Sequence, residues 1–243
     1  MSEAANGRRA RHWLTLAALL LGIGLCFYLV YQPFASHAAG ARTSLRAAII
    51  GLALGAWFRT QTMIGSRQLK EGAITDGVHE LTAPVHHYLQ AHPGQANTLL
   101  IMSSAGIDAF GLFLIGASLF GPTLRPFVAL LILFAMRQVC QALCALPAPR
   151  DMIWRHPGFP SLLVTYGTAN DFFFSGHTAV AVLGAIEIAH LGPPWLGVTA
   201  GVIAALEGLT VLVLRAHYTM DIVGAVFAAW AAAHAAGWLC GPL

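Results

Sequence analysis

Apolar residues fall along this chain in long runs separated by short polar or Gly/Pro joints. Residues 13–31 form a run of 19 residues without a charge, preceded by a polar stretch, 1–12, that carries Arg8, Arg9 and Arg11. A secretory signal has an apolar core of only about 7–15 residues, so this run reads as a retained anchor helix. Residues 45–64 hold an apolar centre between Arg46 and Arg59. They form either a tilted span whose arginines snorkel to the interfaces or a helix lying on the membrane. Residues 65–98 are the most polar part, with Arg67, Lys70, Glu71, Asp76, Glu80 and the histidines His79, His86, His87 and His92; they read as a surface loop with an amphipathic helix. From Leu99 the pattern is regular. Apolar segments at 99–120, 126–146, 176–191, 195–214 and 217–240 are separated by joints such as Gly121-Pro122, Pro147 with Pro149, and Gly192-Pro193-Pro194, where chain reversal needs such residues. About 20 helical residues at 1.5 Å each cross the roughly 30 Å hydrocarbon core. The predicted architecture is all-α, a polytopic membrane bundle of six or seven transmembrane helices. It divides into a basic N-terminus (1–12), an anchor helix plus second apolar segment (13–64), a polar loop (65–98) and a transmembrane bundle (99–240).

Composition agrees with the pattern. Of 243 residues, 57% are hydrophobic and 9% charged, whereas a soluble domain is about 25% charged. An ordinary soluble enzyme is excluded. The net charge is only +3, and the basic residues are scattered, so nucleic acid has no footprint here. Lys70 is the single lysine beside twelve arginines; with so much Ala and Gly this points to a GC-rich bacterial genome, and so to an inner-membrane protein. Cys26, Cys140, Cys144 and Cys240 lie in apolar stretches and read as buried thiols. Neither they nor the four histidines of 65–98 have a metal-ligand spacing, so no metal and no cofactor is expected.

The chemistry is carried by the ionisable residues inside the apolar segments, Asp108, Arg137, Glu187, Glu207 and Asp221. Each costs about 2.5–3.5 kcal/mol by insertion scales unless paired or facing a wet cavity. Glu187 and Glu207 read as partners within the bundle. Asp221 differs because it follows His217 by four residues, one helical turn on the same face. A carboxylate there can fix the histidine tautomer and leave the second ring nitrogen as base or nucleophile; it can equally be a satisfied pair holding a helix end. A second cluster, Ser175-Gly176-His177-Thr178, opens a helix with small residues, where backbone N–H groups and the helix dipole favour an anion. His177 is then placed to protonate a leaving oxygen, and Arg215, two residues before His217, offers donors for phosphate. Successive hairpins bring His177, His217, the end of 147–175 and Arg137 to one membrane face. Together these groups are an inventory for phosphoryl transfer without a metal.

The blocks Asp171-Phe172-Phe173-Phe174-Ser175-Gly176-His177-Thr178 and His217-Tyr218-Thr219-Met220-Asp221-Ile222 resemble the two C-terminal motifs of sphingomyelin synthases. Those enzymes belong to the lipid phosphate phosphatase (type-2 phosphatidic acid phosphatase) superfamily, and plant phosphatidylcholine:diacylglycerol cholinephosphotransferases carry similar blocks. Arg137, ten residues before Pro147, keeps the interval found in these transferases. The resemblance covers about residues 76–240 and implies a lipid phosphate phosphatase-like core. It implies that His217 attacks the phospholipid phosphorus to give a phosphohistidine, that Asp221 orients it, and that His177 is general acid and then base. Arg137 and Arg215, with Ser175 and Gly176, would hold the phosphate, and Asp171 would make headgroup or local contacts. The first superfamily motif is broken, since Ser118 stands where a Lys precedes Arg125-Pro126, and Thr210-Val211 replace the Ser-Arg pair ahead of the second histidine. These departures argue for the transferase branch.

The expected reaction moves a phospho-headgroup, phosphocholine first, from a glycerophospholipid donor to a lipid alcohol acceptor, ceramide or diacylglycerol. The alternative is a lipid phosphate phosphatase with water as acceptor; a transporter with a proton path through Asp108, Glu187 and Glu207 offers no reason for the histidine blocks. Six spans with the N-terminal arginines inside put the active face on the extracytoplasmic side, and seven put it in the cytoplasm; the resemblance favours the outer face.

Overall fold

The computed structural model describes residues 37–65, 74–158, 160–164, 166 and 172–241. Among them are eight helices: α1 (His37–Gly65), α2 (Gly77–Leu81), α3 (Ala83–Ala91), α4 (Pro93–Phe120), α5 (Arg125–Leu143), α6 (Gly176–Leu191), α7 (Pro194–Val213) and α8 (Thr219–Cys240). The chain divides into two units, Met1–Leu52 and Ala53–Leu243. The described part of the first, 37–52, is the opening of α1; the second holds everything below.

Proline sets the first turn of α3, α4, α5 and α7, where its missing N–H is no loss. Four helices are long and apolar enough to cross a membrane: α4, α5, α7 and α8. Six or seven spans were expected, and four are found among the described residues. Residues 13–31 lie outside the described residues. The α1 helix is long, but Arg42, Arg46 and Arg59 interrupt its apolar run. The α6 helix is apolar but has only 16 residues, about 24 Å of rise. It is short because it is central: α6 packs against α4, α5, α7 and α8, and most of its residues are buried. Gly184 lets α4 approach, since a Cβ there would sit 2.4 Å from Phe110 Cδ1. On α8 the buried seam is all small, Ala225, Ala228, Ala229, Ala232, Ala233 and Ala236, the composition that lets membrane helices close on one another. Large apolar side chains such as Met102, Val198, Leu206, Phe227 and Trp230 face outward, as a lipid-facing surface requires.

The intramembrane charges have partners. Arg125 Nη2 lies 3.3 Å from Glu187 Oε1, and Ser103 Oγ donates to Glu207 Oε1. Among the described residues Asp108 pairs with no arginine; its two oxygens accept the backbone N–H groups of Leu162 and Leu163 at 2.8 and 2.9 Å, pinning the α5–α6 connection to α4.

The segment 65–98, read as a surface loop with an amphipathic helix, is more buried than that reading implies. Its described part forms α2, α3 and the opening of α4, and His79 and His86 are buried. His86 Nδ1 donates to Val213 O at 2.8 Å, satisfying a carbonyl at the end of α7. Leu89 and Leu100 form a small core there with Ile153, Val213 and Leu214. Burial pushes the His86 pKa below its ordinary 6.5, which the Val213 carbonyl opposes and the nearby Arg215 charge reinforces. This polar segment therefore forms a platform under the face where α4, α6 and α8 begin and α5 and α7 end.

Candidate active site

The site is built from helix ends. Asp221 is in the first turn of α8, where a negative charge is favoured. Its Oδ2 accepts the Tyr218 N–H at 2.9 Å and lies 3.4 Å from His217 Nδ1. The shorter contact is the cap and the longer one orients the ring, so one buried oxygen serves both readings of the His–Asp pair. An imidazole held through Nδ1 presents Nε2 as the reactive nitrogen.

His217 is also held by its backbone. His79 Nε2 donates to the His217 carbonyl at 2.9 Å, and its ring stacks on Tyr218 with centroids 5.7 Å apart. Asp76 caps α2 by accepting from the Val78 and His79 amides, and reaches across to the Thr219 N–H at 2.6 Å and Thr219 Oγ1–H at 2.8 Å. Burial alone would raise the Asp76 pKa; the two Thr219 bonds and His79 outweigh it and hold the carboxyl below its ordinary 3.8.

The second cluster meets the first through the backbone, with Ser175 N–H donating to Asp221 O at 3.1 Å. Ser175 Oγ caps α6 by accepting from Thr178 N–H at 3.3 Å. Gly176 makes room for Arg137, since a Cβ there would fall 3.3 Å from its Nε. Arg137 Nε donates to Phe174 O at 2.9 Å and Nη1 to Gln61 Oε1 at 3.3 Å. The His177 ring meets Trp154 edge-on at 5.0 Å, and its buried Nε2 has no hydrogen-bond partner among the described residues. His177, His217, Arg137 and Gly176 line one cavity with Trp57, Phe134, Trp154 and Phe172; its empty space, counting the part open to the surroundings, is about 660 Å³.

A family model for AtPDCT1/2 matches residues 75–238. This chain belongs to the AtPDCT1/2 family. Phosphatidylcholine:diacylglycerol cholinephosphotransferase 1 of Arabidopsis thaliana is 23% identical over 143 residues, 58% of this chain. Those residues are 46% of that relative, so the chain matches about half its length. A solved structure described as a transmembrane PAP2-type phosphatidylglycerolphosphate phosphatase from Bacillus subtilis is 16% identical, with a TM-score of 0.35 over 90% of this chain and 94% of that one. Within the AtPDCT1/2 match lie Asp76, His79, Arg137, His177, His217 and Asp221, whereas Trp57 and Gln61 precede it.

Of the residues expected from sequence, His217, Asp221, His177, Arg137, Ser175 and Gly176 come together. Asp171 lies outside the described residues. Arg215 does not line the cavity; at φ +54° it turns toward Asp151, 3.6 Å away, and donates to His79 O at 3.5 Å. Asp76, His79, Trp57, Gln61 and Trp154 were missed. Nothing local marks them except the residue types of Asp76 and His79 in an otherwise apolar chain. Among the described residues no three His, Cys, Asp or Glu side chains gather as a metal site requires.

Proposed function

We propose that this protein is an integral membrane phosphotransferase that moves a phospho-headgroup, phosphocholine first, from a glycerophospholipid to diacylglycerol or ceramide through a phosphohistidine. His217 Nε2 attacks phosphorus and the P–O bond to the departing diacylglycerol breaks, with His177 donating its proton to that oxygen. In the second half the acceptor hydroxyl attacks phosphorus, His177 takes its proton, and the P–N bond breaks with its electron pair returning to His217. Asp221 stabilises the positive imidazole between the two steps. Arg137 holds the phosphate charge.

The observation that carries this reading is that two histidines and a buried arginine line one cavity, with one histidine tied to a buried aspartate. The name of the Arabidopsis relative supports phosphatidylcholine and diacylglycerol as the lipid pair. The apolar walls, Ile107, Phe134, Leu163, Val164, Phe172 and Val180, favour a lipid alcohol over water as acceptor. With the basic N-terminus held inside and the six spans expected from the sequence, this face would lie on the extracytoplasmic side of a bacterial inner membrane.

The test is transfer of label from phosphatidylcholine carrying a labelled headgroup phosphate, with and without diacylglycerol or ceramide, by the protein in lipid nanodiscs. Label should enter a new lipid only with an acceptor present, and His217→Ala should abolish it. Release of water-soluble phosphocholine whatever acceptor is offered would make water the acceptor and overturn the transferase reading.

A further inference from the structure

The cavity has a wall that the phosphoryl-transfer steps do not use. On α1, Trp57 and Gln61 are four residues apart on one face; on α5, Phe134 and Arg137 are three apart on one face. The two helices meet in two rungs. The Trp57 ring stacks on Phe134 with centroids 4.5 Å apart and planes 10° from parallel. One turn further on, Gln61 Oε1 accepts from Arg137 Nη1 at 3.3 Å and from Gln138 Nε2 at 3.2 Å. The lower rung fixes the guanidinium that would face a phosphate. The upper rung places an indole at the cavity.

That indole has an unmet requirement. Trp57 Nε1 is buried and has no hydrogen-bond partner among the described residues, and an indole nitrogen can only donate. What it lacks is an acceptor, and buried donors are rarely left without one. Among the described residues of the lining, the two imidazoles, which the transfer steps use, are the acceptor side chains; it carries no carboxylate, amide or hydroxyl side chain, only apolar groups and the Arg137 guanidinium besides. A ligand filling the cavity would bring the acceptor that the indole lacks. A glycerophospholipid brings two kinds of strong acceptor oxygen at this depth, those of its phosphodiester and the carbonyls of its acyl esters.

We propose that Trp57 and Gln61, on a helix that precedes the family-matched region, form part of the donor-phospholipid subsite, with the Trp57 indole N–H donating to a phosphodiester or ester-carbonyl oxygen and Gln61 holding Arg137 in place. This rests on the reading of the cavity as a phospholipid site. Trp57→Phe is the informative change, because it keeps an aromatic ring against Phe134 while removing the donor.

The experiment measures binding without turnover, on the full chain carrying His217→Ala, by titration calorimetry with dihexanoylphosphatidylcholine and with its diether analogue. Adding Trp57→Phe should weaken binding about tenfold, as expected for one hydrogen bond, with an unchanged melting temperature. Gln61→Leu, which removes one of the bonds that hold Arg137, should weaken it as well. A Trp57→Phe loss on both probes assigns the bond to the phosphodiester; a loss only on the diester lipid assigns it to an ester carbonyl. An unchanged affinity in Trp57→Phe, with binding to the parent intact, overturns this subsite and leaves the proposed function standing. No binding of either lipid to the His217→Ala protein overturns both.

Discussion

Asp76 is the carboxylate that ties the α2 platform to the start of α8, and Asp76→Asn isolates that tie. The native side chain takes four hydrogen bonds: two from α2 amides, which cap that helix, and two from Thr219. The amide keeps one acceptor oxygen for these four donors, and the charge is gone. Losing a charge-assisted bond removes about 1.5–3 kcal/mol; because the residue is only half-buried and water can replace part of it, the expected loss is about 1–2 kcal/mol. For a chain of this length that lowers the melting temperature by about 2–8 °C. Asp76→Ala should lose about 1 kcal/mol more, the value of an N-cap. The pH dependence has a definite sign. The folded-state pKa lies below 3.8, so the stabilisation is fully present above the ordinary value and is lost as the pH falls through the folded-state value. The wild-type advantage should therefore be constant at neutral pH and close only below pH 3.8. Thermal unfolding in nanodiscs across that range gives the stability, and headgroup transfer gives the kinetics. Since Asp76 does not line the cavity but holds the turn after His217, kcat should fall with little change in donor KM. An Asn variant that melts and turns over like the wild type would refute the role of the platform.

Arg215 occupies the C′ position of α7, where Ala216 N–H bonds Val211 O and Arg215 N–H bonds Leu212 O, the Schellman pattern that normally takes glycine. Arg215→Gly and Arg215→Ala lose the same side-chain contacts, so glycine should be the more stable by about 1 kcal/mol, the cost of a Cβ in the left-handed region; equal melting temperatures would remove the strain. Glu187→Ala leaves Arg125 buried without its carboxylate and should cost about 3–5 kcal/mol, seen as a sharply lower melting temperature. Because Arg125 lies twelve residues before Arg137 on α5, about 18 Å along the axis, kcat of the folded fraction should stay within a few-fold; its loss in a folded protein would point to a proton path instead.

What was legible in the sequence was what depends on local spacing. Gly and Pro marked the joints between α4 and α8 to within a few residues because chain reversal and helix starts constrain backbone torsions directly. The His217–Asp221 pair was legible because one helical turn brings the two together in any context. The Asp76–Thr219 bonds join residues 143 apart, and no local pattern specifies such a partner. Segment 65–98 read as a surface loop because it is polar, yet its buried histidines supply donors to carbonyls at the end of α7 and at His217. Arg215 shows the same limit at short range. Its position two residues from His217 suggested a shared site, but the left-handed backbone turns the side chain toward Asp151. The number of crossings was the least legible property, since a central helix needs no full-length apolar surface and an arginine-flanked helix can lie at either depth.

Among the described residues, Asp76, Asp108 and Asp221 stand behind the cavity lining, and all three accept bonds from backbone amides. Asp108 holds Leu162 and Leu163, Asp76 holds Thr219, and Asp221 holds Tyr218 while orienting His217. None of them lines the cavity. Their charges are spent on positioning its walls, through bonds that cap helix ends and pin loops, and the lining is left with one guanidinium and two imidazoles. An apolar cleft with that residue set repels a cation's bare charge least where aromatic faces lie, at Trp57, Phe134, Trp154 and Phe172, and attracts an anion at Arg137. A zwitterionic phosphodiester has both charges in the right order for such a cleft. A free carboxylate in the lining would weaken the hold on phosphate and offer a competing nucleophile. The placement of acids behind the walls is therefore the feature of this fold that, in the proposed reaction, would leave a histidine to meet phosphorus.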